Sequence, residues 1–155
     1  MYIMYNYRPH IKPYHRPYHR PYHRHQQLPY RCIIGVIDGS SIKTTKMSAS
    51  TSLFVEIKHD TTSVKTFSIT NNTSPKWDTN LSLNIDITRP IYITINHEGY
   101  LFNSIIGHGV FNLESLVINR HFFKKIALFE TEREAQSNVG NIIAYLNLDI
   151  IIYNT

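Results

Sequence analysis

The stretch KTFSITNNTSPKWDTNLSLNI, residues 65–85, decides the fold. In its second half apolar and polar residues alternate, so that Leu81, Leu83 and Ile85 share one face of an extended segment. Ser74 and Pro75 interrupt the stretch with residues typical of turns. The pattern therefore predicts two β-strands separated by a turn, the second of them with one buried face.

Similar short segments continue on both sides of this stretch, from Tyr30 to the end of the chain. Ile91, Ile93 and Ile95 alternate with polar or aromatic neighbours in the same way. Eight such segments, separated by polar or glycine-containing turns, predict an all-β fold, an eight-stranded antiparallel β-sandwich. The predicted strands are residues 31–37, 53–58, 64–70, 80–87, 91–96, 105–111, 123–129 and 141–153. Helical turns are predicted only at residues 113–117 and 131–137.

The order of these segments resembles that of the C2 domain family. The turn around Pro75 and Trp77 is similar to the Asn-Pro-x-Trp-Asn turn of that family, which follows a Lys-Thr strand. Other landmarks fall in the same order: VIDGSSI at residues 36–42, LFVEI at 53–57, IYITINHEG at 91–99, IIGHGVFNLESL at 105–116 and the closing GNIIAYLNLDIIIY. The resemblance covers about residues 29–154, and it implies that Trp77 is a core anchor beside the turn.

Calcium-dependent members of this family hold the ion with aspartates in the first and third loops, as a cation that prefers six to eight oxygen ligands requires. The matching positions here fall near Lys46 and Ser52, and near Asn96 or His97 and Glu98 or Gly99. Asp38 and Asp78 remain as nearby acids, with turn or cap roles. We therefore expect no metal site and no calcium binding in the usual loops.

The resemblance also points to surfaces that would contact a membrane or a protein partner. Tyr100, Leu101 and Phe102 fall where calcium-independent members present apolar loop tips, with Lys46 and Met47 in the first loop beside them. The alternative is that Leu101 or Phe102 folds back over the end of the sandwich. Lys58 and Lys65 are candidates for a small headgroup patch; the alternative is a solvated strand face.

The first 28 residues form a tail of different composition, ahead of a C2-like domain at residues 29–155. PYHR occurs three times between residues 13 and 24, and a proline every fourth residue excludes a helix and predicts an extended or disordered segment. Its candidate functional residues are basic and aromatic. They are Arg8, Lys12, Arg16, Arg20, Arg24 and Arg31, for electrostatic contacts, and Tyr14, Tyr18 and Tyr22, for stacking.

The net charge of +5 is carried by the first 31 residues, because the six basic residues up to Arg31 precede the first acidic residue, Asp38. The remaining ten Lys and Arg are balanced by eleven Asp and Glu. Attraction to an anionic partner should therefore begin in the tail. The alternative is a low-complexity extension that is merely solvated.

The single cysteine, Cys32, excludes an intrachain disulfide, and we expect it to be packed in a strand. The absence of a disulfide favours a reduced, cytoplasmic location for the protein, which would be soluble there or peripheral at a membrane or on the cytoskeleton. No signal-peptide core or membrane-spanning run is present in the sequence. The sequence also contains no phosphate-binding glycine loop, nucleophile motif or zinc spacing. We therefore expect no catalytic residue, no enzyme activity and no cofactor.

Three classes of binding function remain open on the sequence. The favoured one is calcium-independent docking to an anionic phospholipid membrane, with the basic tail supplying attraction. The alternative is a structural component of a protein assembly, for example cytoskeletal, with the tail threading over an acidic protein surface. Nucleic-acid binding by the Arg/Tyr tail ranks last, because the rest of the chain is close to neutral.

Overall fold

A computed structural model describes residues 30–43, 51–70 and 73–155. This part of the chain forms nine strands and one short helix. The strands are β1 (Tyr30–Ser40), β2 (Ser52–His59), β3 (Thr62–Lys65), β4 (Ile69–Thr70), β5 (Lys76–Ile85), β6 (Ile91–Glu98), β7 (Ser104–Phe111), β8 (His121–Phe129) and β9 (Ile142–Asn154), and α1 (Glu132–Ser137) precedes β9.

The strands follow one another in the order β3-β2-β6-β7-β8-β9-β1-β5, and β4 pairs with β2; all of these pairings are antiparallel. Between β7 and β8 the register of the described strands contains one pair, His108 opposite Phe129. The path therefore divides there into a first sheet, β3-β2-β6-β7 with β4, and a second sheet, β8-β9-β1-β5. The predicted antiparallel β-sandwich is confirmed.

The inward faces of both sheets form a single hydrophobic core. Ile57, Ile93 and Ile95 come from the first sheet, and Ile34 and Leu146 from the second, all of them buried. The alternation that predicted the strands also selects this face, because every second side chain of a strand points to the same side. Removal of these apolar side chains from water is the main contribution that stabilises the sandwich.

Trp77 is buried within this core, and its indole Nε1 donates a hydrogen bond to the carbonyl of Leu53 at 3.3 Å. A side chain at Gly39 would lie 3.2 Å from the Trp77 ring, so the glycine lets β1 approach the indole closely. The predicted anchor role of Trp77 is confirmed. Cys32 is also buried in β1, as predicted, and burial raises the pKa of its thiol to about 12.

The number of strands differs from the prediction because residues 64–70 do not form one strand. Thr66 donates its backbone N–H to the Val55 carbonyl, and its hydroxyl accepts the Val55 N–H at 3.0 Å. The hydroxyl thus replaces a backbone acceptor, and the adjacent Phe67 is exposed. The segment divides into β3 and β4, so nine strands replace the predicted eight.

The helix prediction was correct at residues 131–137 and wrong at 113–117. Thr131 caps α1 in a reciprocal capping box with Glu134, whose carboxylate accepts the Thr131 N–H at 3.0 Å and the Asn141 N–H at 3.1 Å. Residues 113–117 form a single turn, closed by a bond from Leu116 N–H to the Leu113 carbonyl. Leu113 is buried there, so its packing in the core, and not a helix, determines the position of this segment.

No helix in the described residues is long and apolar enough to cross a membrane. The tail predicted at residues 1–28 lies outside the described residues. Arg31, which was grouped with the tail, belongs to β1, where its Nε donates to the hydroxyl of Ser82 at 2.9 Å.

Candidate functional site

Three connections emerge at one end of the sandwich, which we call the loop end. β1 ends there at Ser40 and β2 begins at Ser52, which is opposite Glu98, the last residue of β6. The hydroxyls of Ser52 and Thr70 are 2.8 Å apart, which places the end of β4 at the same edge. The first loop, the connection after β4 and the loop between β6 and β7 therefore lie on the same side, as the sequence predicted.

The loop between β6 and β7 carries an exposed apolar tip, formed by Tyr100, Leu101 and Phe102. These side chains are 101%, 76% and 85% exposed. The turn is tight, because a Cβ on Gly99 would collide with the carbonyl oxygen of Phe102. Glycine is thus required where the chain leaves β6. The alternative in which Leu101 or Phe102 folds back over the sandwich does not occur.

The first loop is described only at its two ends. Ile42 is buried in the core, and the backbone N–H of Lys43 bonds the Ile143 carbonyl at 2.7 Å. Lys46 and Met47, predicted to lie beside the apolar tip, fall in residues 44–50 and so outside the described residues. Their contribution to the loop end stays a prediction.

Two of the positions matched to calcium ligands, Ser52 and Asn96, carry side chains that bond other side chains. Ser52 bonds Thr70, and the buried Asn96 donates its amide to the Thr94 hydroxyl at 2.8 Å. Asp38 lies at the bulge of β1 and accepts from the Asn147 amide at 2.6 Å. Within residues 30–43, 51–70 and 73–155, no three His, Cys, Asp or Glu side chains are grouped as a metal site.

A groove of about 580 Å³ lies on the outer face of the first sheet. Its lining combines acidic, basic and aromatic side chains from β2, β6, β7 and α1. Among them are Glu56, Lys58, Tyr92, His108 and Glu132, with Arg89 near Pro90. Carboxylates are thus about as numerous as cations, and the groove is close to neutral.

Lys58 and Lys65 lie on the same face of the β2–β3 hairpin but are not directly opposite each other. Lys58 is opposite Ser63, whereas Lys65 is opposite Glu56. The ammonium of Lys65 lies 5.3 Å from the centre of the Phe54 ring. The glutamate between the two lysines reduces the positive potential of this predicted patch.

The end of the sandwich opposite the loop end is held by a polar cluster, formed by His59, Asp60, Asp86 and Arg89. The Arg89 Nη1 is 2.6 Å from the Asp60 carboxylate, joining the β2–β3 turn to the connection between β5 and β6. Asp86 accepts the Thr88 hydroxyl at 2.7 Å and the Thr88 N–H at 3.0 Å, and these bonds hold its pKa below the usual value.

Neither the groove nor this cluster was identified from the sequence. Both bring together residues that are far apart in the chain, such as His59 and Asp86, and only the three-dimensional packing of the strands and turns decides such pairs. On the outer face of the second sheet a further pair was missed, with His121 Nδ1 3.0 Å from the Asp149 carboxylate.

A family model described as the C2 domain matches residues 30–126. This match covers more than half of the chain, and the chain belongs to the C2 domain family, as the sequence had indicated. The domain is generally a non-catalytic module that binds membranes or proteins. No curated protein sequence matches the chain.

Solved structures of C2 domains share this fold at low sequence identity. A C2 domain of plant Extended Synaptotagmin 1 is similar with a TM-score of 0.70 and 15% identity, over 84% of this chain and 98% of that one. The two tandem C2 domains of Extended Synaptotagmin 2 match with a TM-score of 0.65 and 14% identity, over 97% of this chain and 48% of that one. Human GIVD cytosolic phospholipase A2 matches with a TM-score of 0.66 and 13% identity, over 83% of this chain but only 17% of the enzyme.

Proposed function

We propose that this chain is a non-catalytic C2 module that docks on an anionic membrane surface without calcium. The observation that supports this most directly is the apolar tip, Tyr100, Leu101 and Phe102, exposed on a tight loop. Consecutive exposed apolar side chains at the end of a rigid sandwich suit insertion into the interface of a bilayer.

The calcium-independent part of the proposal rests on the side chains at the matched ligand positions. Ser52 and Asn96 bond neighbouring side chains, and Asp38 is held by Asn147. A site with few free carboxylates has little affinity for a hard divalent cation. The proposal distinguishes this chain from Extended Synaptotagmin 2, a structure of similar fold that is calcium bound.

The tail would supply most of the attraction and the tip would set the orientation. With Arg31 in β1, the tail carries five cations, namely Arg8, Lys12, Arg16, Arg20 and Arg24. At about 1 kcal/mol per cation near an anionic surface, they contribute at most roughly 5 kcal/mol before the entropy of confinement is subtracted. Tyr14, Tyr18 and Tyr22 would place aromatic rings at the headgroup level.

The test is co-sedimentation of the full chain with phosphatidylserine-containing vesicles, in calcium and in chelator. The matched variant replaces the five tail cations with glutamine and leaves the sandwich unchanged. We expect equal pelleting with and without calcium, and weaker pelleting for the variant. A requirement for calcium would contradict the calcium-independent mechanism. No pelleting by either protein would contradict membrane docking and favour the alternative, a structural role in which the tail binds an acidic protein surface.

A further inference from the structure

The buried His59 is fixed in a single protonation state by its two hydrogen bonds. The side chain is 1% exposed at the end of β2. Its Nε2 lies 2.9 Å from the backbone nitrogen of Asp86, and its Nδ1 lies 3.4 Å from the Pro90 carbonyl oxygen. A backbone N–H can only donate and a carbonyl can only accept. The ring must therefore be neutral, with its proton on Nδ1 and a lone pair on Nε2.

These two bonds span the connection between β5 and β6. Asp86 is the first residue after β5, and Pro90 directly precedes β6. One imidazole thus holds both ends of the connection against the end of β2. The same connection carries Arg89, which bonds Asp60 in the β2–β3 turn and, with Pro90, lines one end of the groove.

We infer that His59 is an acid-sensitive latch, which holds residues 86–90 closed while its ring is neutral and releases them when the ring is protonated. A proton on Nε2 would set two donors against each other across 2.9 Å. The Asp86 N–H would then lose its acceptor, and a partly buried donor without a partner is destabilising. Release of residues 86–90 would also move Arg89 and Pro90, and so reshape that end of the groove.

The charged groups around the ring offset only part of this effect. Asp60 follows His59 in the β2–β3 turn, and Asp86 and Arg89 belong to the connection between β5 and β6. Asp60 is already paired with Arg89 at 2.6 Å, and Asp86 already accepts two bonds from Thr88. Both carboxylates therefore have partners before the imidazole gains a charge. Their attraction for an imidazolium does not restore the lost acceptor of the Asp86 amide.

The tautomer is tested directly on the unmodified protein by the NMR shifts of the imidazole nitrogens. At pH 7.5 we expect a protonated Nδ1 and an unprotonated Nε2 at His59. As the pH is lowered, loss of hydrogen-exchange protection at the Asp86 amide should coincide with protonation of the ring, and protection that persists with a charged ring would overturn the inference. A proton on Nε2, or a charged ring at pH 7.5, would overturn the inference.

The stability effect is tested with His59→Gln, because a glutamine oxygen can accept the Asp86 N–H but cannot be charged at these pH values. The control is His121→Gln, which removes an exposed histidine whose Nδ1 lies 3.0 Å from the Asp149 carboxylate. Acidification from pH 7.5 to pH 5 should lower the melting temperature of the wild type and the control by about 3–6 °C more than that of His59→Gln, the shift that one lost hydrogen bond produces in a domain of this size. An equal loss in His59→Gln would refute the latch. The result is independent of membrane binding, since the assay contains no lipid.

Discussion

Replacing Leu101 and Phe102 with asparagine tests whether the apolar tip enters the bilayer. Both side chains are largely exposed, so the double variant should fold and melt like the wild type. Complete burial of a leucine or phenylalanine contributes about 1.5–3 kcal/mol, so half-insertion of both gives roughly 1.5–3 kcal/mol in total. Since each 1.4 kcal/mol is a factor of ten, we expect membrane partitioning to weaken about 10- to 150-fold.

The assay is the partition coefficient on anionic vesicles, measured over a series of lipid concentrations at fixed salt. The matched control is Phe123→Asn, which removes an aromatic side chain that is 73% exposed in β8, away from the loop end. The control should partition like the wild type. If the double variant partitions like the wild type, or if Phe123→Asn weakens binding as strongly, insertion of the tip is refuted.

Three further predictions concern other parts of the sandwich. Gly99→Ala places a Cβ against the Phe102 carbonyl oxygen and should displace the tip, which NMR would show as shifts concentrated in residues 97–104; shifts spread evenly through the core would contradict it. Cys32, with its pKa raised to about 12 by burial, should not react with a thiol reagent at pH 8 until the protein is unfolded, and rapid labelling of the native protein would count against this environment. The bonds that Glu134 receives from Asn141 and Thr131 hold its pKa low, so its stabilising effect is complete above the ordinary glutamate pKa of about 4.3 and is lost as the pH falls through the lower folded value. Thermal unfolding at pH 7 and pH 3 should show a smaller acid-induced loss in Glu134→Gln than in the wild type, and an equal loss would contradict the role assigned to this carboxylate.

The strands could be predicted from the sequence wherever one face is buried. Leu81, Leu83 and Ile85 alternate with exposed residues, and the same pattern selected the inward face of β6. β5 begins earlier than predicted, at Lys76, because its pairing with β1 extends to Asp38 across a bulge. Such an extension depends on the partner strand, and the alternation of apolar and polar residues within β5 does not predict it.

The prediction from local sequence pattern was wrong where a side chain takes the place of a backbone hydrogen-bond partner. The hydroxyl of Thr66 accepts the Val55 N–H, and β3 ends beside it. A threonine within a strand-like sequence does not predict such an interruption of the strand. At residues 113–117 the apolar spacing resembled a helical turn, but Leu113 is fixed by burial in the core. Both errors reflect contacts between residues that the sequence does not show to be neighbours.

The candidate site was predicted in part. The apolar tip was identified from its place in the family pattern, and its exposure agrees with the first of the two alternatives. The lysine patch stays a prediction, and the sequence did not show that Glu56 lies opposite Lys65 through the register of β2 and β3. Charge balance across a sheet face depends on pairs of strands, which composition does not show.

The position of β1 has a mechanical consequence for a protein held at both ends. β1 is a central strand, paired along most of its length with β5 on one side and β9 on the other. The preceding chain joins it at Tyr30, at the end of the sandwich opposite the apolar tip. Tension applied between the N-terminal segment and an anchored loop end runs along the strand axis. It would load both hydrogen-bond ladders in shear, so that many bonds resist together instead of opening one at a time, and the sandwich could carry force between two attachments.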